Sequence, residues 1–168
     1  MARILLVEPF LGGSHLAWAE GWASHSRHDI EILGHEGQHW RWRMRGGSVS
    51  LARHLAETSR PSVDVVVASN MLDLAAFRGM VDLPGATWVQ YLHENQLTYP
   101  RQPGESLDTG LAWMQWRSLV VADEIWCNSA FQRDGLVAGL DRLLASAPDH
   151  GHEPERLALD AKLRIEHP

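Results

Sequence analysis

The triplet Val65-Val66-Val67, set in the run over residues 63–68 that only Asp64 interrupts, constrains the fold more than any other stretch of the chain. β-Branched residues favour extended backbone, and three in succession send apolar side chains to both faces of a sheet. Such a strand is stable where helices cover both sides, which is the situation of a parallel sheet. Its neighbours are legible too. Ile4, Leu5, Leu6 and Val7 form a second apolar run, residues 29–33 and 88–92 read as further strands, 124–127 as a fifth, and 162–166 as a sixth cut off at Pro168.

Between these runs the period changes to that of helices. Ser14 is placed to cap a helix to about residue 26, with Trp18 and Trp22 on one face. A helix over residues 48–58 puts Leu51, Ala52, Leu55 and Ala56 on one side, and Pro61 closes it. Asn70 can cap a short helix after the third strand. Leu107, Leu111, Met114 and Val121 mark another, and Ser129 with Gln132 has capping-box spacing for a long helix carrying Leu136, Leu140, Leu143 and Leu144. Residues 147–154 read as loop.

Alternating strands and helices give the α/β class, a Rossmann-like, doubly wound, mostly parallel sheet with right-handed crossovers, formed as one domain over residues 1–168. The common strand order 3-2-1-4-5-6 makes the first and fourth strands neighbours and opens a crevice at their carboxyl ends. Gly12, Gly13, Ser14 and His15 follow the first strand, and His93, Glu94, Asn95 and Gln96 follow the fourth, so both groups belong at that crevice.

Charge and composition bound the function. A formal net charge of -6 excludes a wholly electrostatic grip on nucleic acid and leaves room for a local basic patch. Cys127 is the single cysteine, so neither an intrachain disulfide nor a cysteine zinc cage can form. The amino end lacks a signal peptide's length and cleavage site, and no stretch approaches the roughly 18 apolar residues of a membrane span. Cytoplasmic location, with no membrane partner, is the expectation.

Each candidate motif admits a chemical and a bland reading. Gly12-Gly13 before a helix start can bring backbone N–H groups to an anionic or polar ligand, or can simply make a tight turn. The full Gly-x-Gly-x-x-Gly fingerprint of dinucleotide enzymes is absent. His35-Glu36-Gly37-Gln38-His39 matches the zinc-hydrolase pattern His-Glu-x-x-His, yet it follows a strand and contains a glycine where a stable helix is required. A loop without metal is therefore expected. Trp40, Arg41, Trp42, Arg43 and Arg45 alternate rings and guanidinium groups, which suits stacking on bases and pairing with phosphates, or equally a surface segment with its rings turned inward. His93 through Gln96 offer a titratable ring, a carboxylate and two amides, groups that recognise hydroxyl-rich ligands or merely solvate a turn.

Four segments together resemble a known family. They are Val7-Glu8-Pro9-Phe10-Leu11-Gly12-Gly13-Ser14-His15, Trp40-Arg41-Trp42-Arg43-Met44-Arg45, the octet from His93 to Pro100, and Ala122-Asp123-Glu124-Ile125-Trp126 with Asn128-Ser129. In order and spacing they look like the tRNA-queuosine α-mannosyltransferases, related to the retaining family 4 glycosyltransferases of the GT-B fold. The resemblance implies transfer of mannose from GDP-mannose to the cyclopentene-diol of queuosine in the anticodon loop of aspartate tRNA, with no other cofactor. It also implies two Rossmann-like domains, of which this chain is the amino-terminal, acceptor-side half and the donor-binding carboxyl-terminal domain is missing. By similarity His93 touches the donor sugar as the catalytic residue. Gly12, Gly13, Ser14 and His15 then face the cleft, Glu94, Asn95 and Gln96 line its acceptor side, and Trp40, Arg41, Trp42, Arg43 and Arg45 contact tRNA. The alternatives are a non-catalytic tRNA-binding module and a zinc hydrolase using His35 and His39.

Overall fold

The computed structural model describes residues 1–58 and 62–167. Six parallel strands form one sheet: β1 (Arg3–Leu11), β2 (Asp29–Glu36), β3 (Val65–Ser69), β4 (Thr87–Leu92), β5 (Glu124–Cys127) and β6 (Leu163–Ile165). The helices are α1 (Ser14–His25), α2 (Trp40–Glu57), α3 (Leu74–Met80), α4 (Thr109–Val121), α5 (Ala130–Leu144) and α6 (Glu153–Lys162). The fold is the expected Rossmann-like α/β sheet.

The strand order differs from the expected one. It runs β2-β1-β3-β4-β5-β6, so β3 pairs with β1 in the register Leu5↔Val66 and separates β1 from β4. The direction of winding therefore reverses between β1 and β3, and the crevice opens there rather than between β1 and β4. Residues after β1 and β4 still meet because they reach across the single intervening strand, which ends in the small Ser69.

Two apolar layers hold the sheet. Leu5, Val7, Val66, Ala68, Trp88 and Leu92 point into the larger one, where Leu51, Phe77, Trp116, Leu136, Leu140 and Leu159 bring in α2 through α6. Ile4, Leu6, Val67, Val89 and Tyr91 point the other way and meet Ala19, Trp18 and Trp22 of α1. Val66 and Val67 thus serve opposite layers, the two-sided burial that the valine run requires. On the α1 side a groove of about 870 Å³ runs past Trp18, Trp22, Tyr91 and Trp126.

Local chemistry decided several boundaries. Helix α2 begins at Trp40 and takes in the basic segment and Gly46-Gly47, because Gly47 lies against Pro9, where an added Cβ would come within 3.0 Å of that ring. Close packing on β1 thus recruits residues whose propensity opposes a helix. Asp73, not Asn70, caps α3 by accepting from Ala76 N–H at 3.0 Å. Ser129 caps α5 as its spacing suggests, accepting from Gln132 N–H at 3.2 Å. Pro61 lies outside the described residues.

Candidate functional site

The carboxyl ends of β1, β3, β4 and β5 converge on one cluster. Glu8 is fully buried near the end of β1, and the chain then turns through Gly12 and Gly13 into α1, whose second residue is His15. Gly13, at the helix N-cap, has φ 55°, a left-handed conformation that favours glycine. Gly12 crosses Gly37 so closely that a Cβ on Gly37 would fall 2.5 Å from the Gly12 Cα. The glycine loop is therefore held against the loop after β2 by two residues that have no side chain.

This turn sets His15 between two carboxylates. Its Nδ1 lies 2.9 Å from Glu8 Oε2, and its Nε2 lies 3.9 Å from Glu94 Oε2. Burial pulls the His15 pKa down, but the hydrogen bond to Glu8 and the charges of Glu8 and Glu94 outweigh it and leave the pKa raised. Glu8 uses its other oxygen to accept from Phe10 N–H at 2.9 Å. The His93 ring lies with its centroid 4.3 Å from that of His15, bounded by Trp18 and Tyr91 at 4.6 and 4.9 Å. Burial and the adjacent His15 push the His93 pKa down to about 3, so His93 is neutral near pH 7 while His15 is biased towards its cationic form. Buried His93 Nε2 has no hydrogen-bond partner among the described residues.

A shell of amides fixes the His93 backbone. Asn70 Oδ1 accepts from His93 N–H at 3.1 Å while Asn70 Nδ2 donates to Glu94 Oε1 at 3.0 Å. Asn128 and Gln132 both donate to the His93 carbonyl, at 2.8 and 3.3 Å. Asn95 is buried and spent on the loop itself: its Oδ1 accepts from Leu97 N–H, Thr98 N–H and Thr98 Oγ1, and its Nδ2 donates to Gln132 at 2.6 Å. Of the residues expected here, His15, His93 and Glu94 meet in the cluster, Ser14 and Gln96 line a neighbouring pocket, and Asn95 supports the loop from behind. Glu8, Asn70, Asn128 and Gln132 were missed as site residues. Glu8 alone left a signal, a carboxylate inside an apolar strand, which is rarely buried without a partner.

The basic segment forms the first turns of α2 beside this cluster. Trp40 and Trp42 are exposed at 40% and 66%. Arg41 sits over the Trp40 ring at 4.9 Å and pairs with Glu105, and Arg45 pairs with Asp108. Arg43 is half-buried, and its Nε has no hydrogen-bond partner among the described residues. The arginines are thus partly engaged by the loop before α4 rather than free in solvent.

The zinc-hydrolase alternative does not match this geometry. His35 lies in β2, with Nε2 2.6 Å from Ser50 Oγ, while His39 is the left-handed N-cap of α2, so the two rings do not share a helix face. A different trio, Glu8, His15 and His93, offers one ligand atom each within 4.8 Å of one another and is the group among the described residues that could hold a metal ion.

Comparison with known proteins bears on this arrangement directly. The family model for the tRNA-queuosine alpha-mannosyltransferase N-terminal region matches residues 3–167. The chain belongs to that family. A relative from Drosophila melanogaster, named tRNA-queuosine alpha-mannosyltransferase, is 29% identical over 165 residues. That match covers 97% of this chain and 43% of the relative, so the chain spans less than half the length of the curated relative it matches. No solved structure matches the chain. Among the described residues no helix is long and apolar enough to cross a membrane.

Proposed function

We propose that this chain is the acceptor-side domain of a retaining GT-B glycosyltransferase that moves mannose from GDP-mannose to queuosine in the anticodon loop of aspartate tRNA. The observation that carries the reading is the family match across residues 3–167. The site supports it with chemistry suited to a sugar. Neutral His93 would meet a sugar hydroxyl as an uncharged ring rather than as a fixed positive charge. His15, whose pKa Glu8 and Glu94 hold above the ordinary histidine value against burial, places a ring that can hold a proton beside the glycine loop. A retaining transfer in which the donor phosphate takes the acceptor proton needs no carboxylate pair spaced for hydrolysis. The remainder of the nucleotide-sugar site belongs to a second Rossmann-like domain in this reading, and the enzyme works in the cytoplasm.

The test is steady-state mannosylation of queuosine-containing tRNA by the two-domain polypeptide. His93→Ala is expected to lower turnover by about 10²-fold with tRNA affinity retained, the scale for removing one positioned polar group. Near-normal turnover by a folded variant would remove His93 from the reaction. The exposed Trp40 and Trp42 beside Arg41 and Arg45 make a non-catalytic tRNA-binding module the second reading, and tRNA retention without transfer by the two-domain protein would favour it.

A further inference from the structure

Beside the histidine cluster lies a separate pocket of about 270 Å³ that opens to the surface. Its side walls include Trp40, the first residue of α2, and Tyr99, from the loop after β4; both rings are substantially exposed, at 40% and 53%. Ser14, His15, Glu94 and Gln96 supply its polar lining. Aromatic faces opposed to a carboxylate and a hydroxyl are the combination that holds a small polyhydroxylated ring: C–H faces pack on the rings, and adjacent hydroxyl groups donate to the carboxylate.

Both walls are held in place by the chain. Arg41 covers Trp40 and is tied in turn to Glu105, so the indole is braced from outside the pocket. Tyr99 donates its backbone N–H to the Asn95 carbonyl at 3.1 Å, at the end of the turn that buried Asn95 organises. Pro100 follows and restricts the backbone of Tyr99. A backbone held this way lowers part of the entropic cost of stacking on the Tyr99 ring. The pocket also lies where the arginine-bearing turns of α2 meet the strand ends, so a ligand entering it can remain attached to a polyanion lying along α2.

We propose that Trp40 and Tyr99 form the specificity clamp for the acceptor, receiving the cyclic vicinal diol of the modified base between them with Glu94 as its hydroxyl acceptor. This rests on the acceptor being queuosine, as argued above. The donor sugar is also a ring with adjacent hydroxyl groups and it carries a diphosphate; Arg41, Arg43 and Arg45 spread over the first turns of α2 suit the longer polyanion, and on that ground the pocket is assigned to the ring carried by the nucleic acid.

The experiment is calorimetry of the 168-residue chain with queuosine nucleoside, guanosine and GDP-mannose, repeated for Tyr99→Ala, Tyr99→Phe and Trp40→Ala, with a melting curve for each. Both positions are exposed, so the fold should survive. Queuosine should bind more tightly than guanosine. Tyr99→Ala and Trp40→Ala should each weaken queuosine about tenfold, on the scale of one aromatic stacking partner, and Tyr99→Phe should restore it. Queuosine binding unchanged in both alanine variants would overturn the clamp while leaving the acceptor assignment intact. Weakening confined to GDP-mannose would reassign the pocket to the donor. Equal binding of queuosine and guanosine by the unaltered chain would instead overturn the acceptor reading and the clamp with it.

Discussion

Replacing Glu8 by glutamine isolates the charge that organises the site. The carboxylate accepts Phe10 N–H on one oxygen and faces His15 Nδ1 with the other, each at 2.9 Å, in a fully buried position. Glutamine keeps the shape and has a single acceptor oxygen. If that oxygen stays with Phe10, the amide NH₂ faces Nδ1 and can donate only to an unprotonated nitrogen, so His15 is held neutral with its proton on Nε2. Burial then acts with only the more distant Glu94 opposing it, and the His15 pKa should move from above the ordinary histidine value to below it. The sign for stability follows from linkage. A raised pKa contributes stability that is fully present below the unfolded value and is lost as pH rises through the folded one. Glu8→Gln should therefore destabilise most in mildly acidic solution, by about 1.5–3 kcal/mol for a buried hydrogen bond to a charged group. With a urea m-value of roughly 2 kcal/mol/M this moves the midpoint by about 1 M. The assay is an NMR titration of the His15 ring in both proteins, paired with urea unfolding at several pH values. An unchanged His15 titration in a folded variant would refute the reasoning.

Further outcomes follow from the same geometry. Asn95→Ala should cost about 2–3 kcal/mol in urea unfolding, because it strips the Leu97 and Thr98 N–H groups of their acceptor, and it should loosen the loop that carries Tyr99. Charge reversal at Arg41, Arg43 and Arg45 should weaken tRNA binding and flatten its salt dependence in filter-binding assays. Its effect on melting should be under about 1 kcal/mol for each exposed pair broken with Glu105 or Asp108, with the larger share of any loss coming from half-buried Arg43. His93 has a depressed pKa, so between its folded value of about 3 and the ordinary 6.5 the unfolded chain takes up a proton that the folded chain refuses. Stability should fall as pH drops through that window, and His93→Gln should make the fall shallower in denaturant titrations run with a chelator present.

Local pattern located the strands, most of the helices and the two loops that meet at the candidate site. Residues 4–7 and 65–67 are apolar runs, 125–127 is a short apolar stretch after Glu124, and Gly12-Gly13 and His93-Glu94 follow such runs, so period and breaker residues were sufficient to locate them. Tertiary structure alone decided the strand order, since β1 beside β3 and β1 beside β4 are both compatible with right-handed crossovers and the same local patterns. It also decided that residues 40–47 are helical, through the contact of Gly47 with Pro9, which no local propensity encodes. The protonation of the site belongs to the same class. Glu8 and His15 are seven residues apart, and Glu94 is far along the chain; only the turn at Gly13 and the ends of β1 and β4 bring their charges within reach of one ring. Periodicity reports which face a residue occupies, whereas a pKa depends on distances between residues on different elements, and those are fixed by packing.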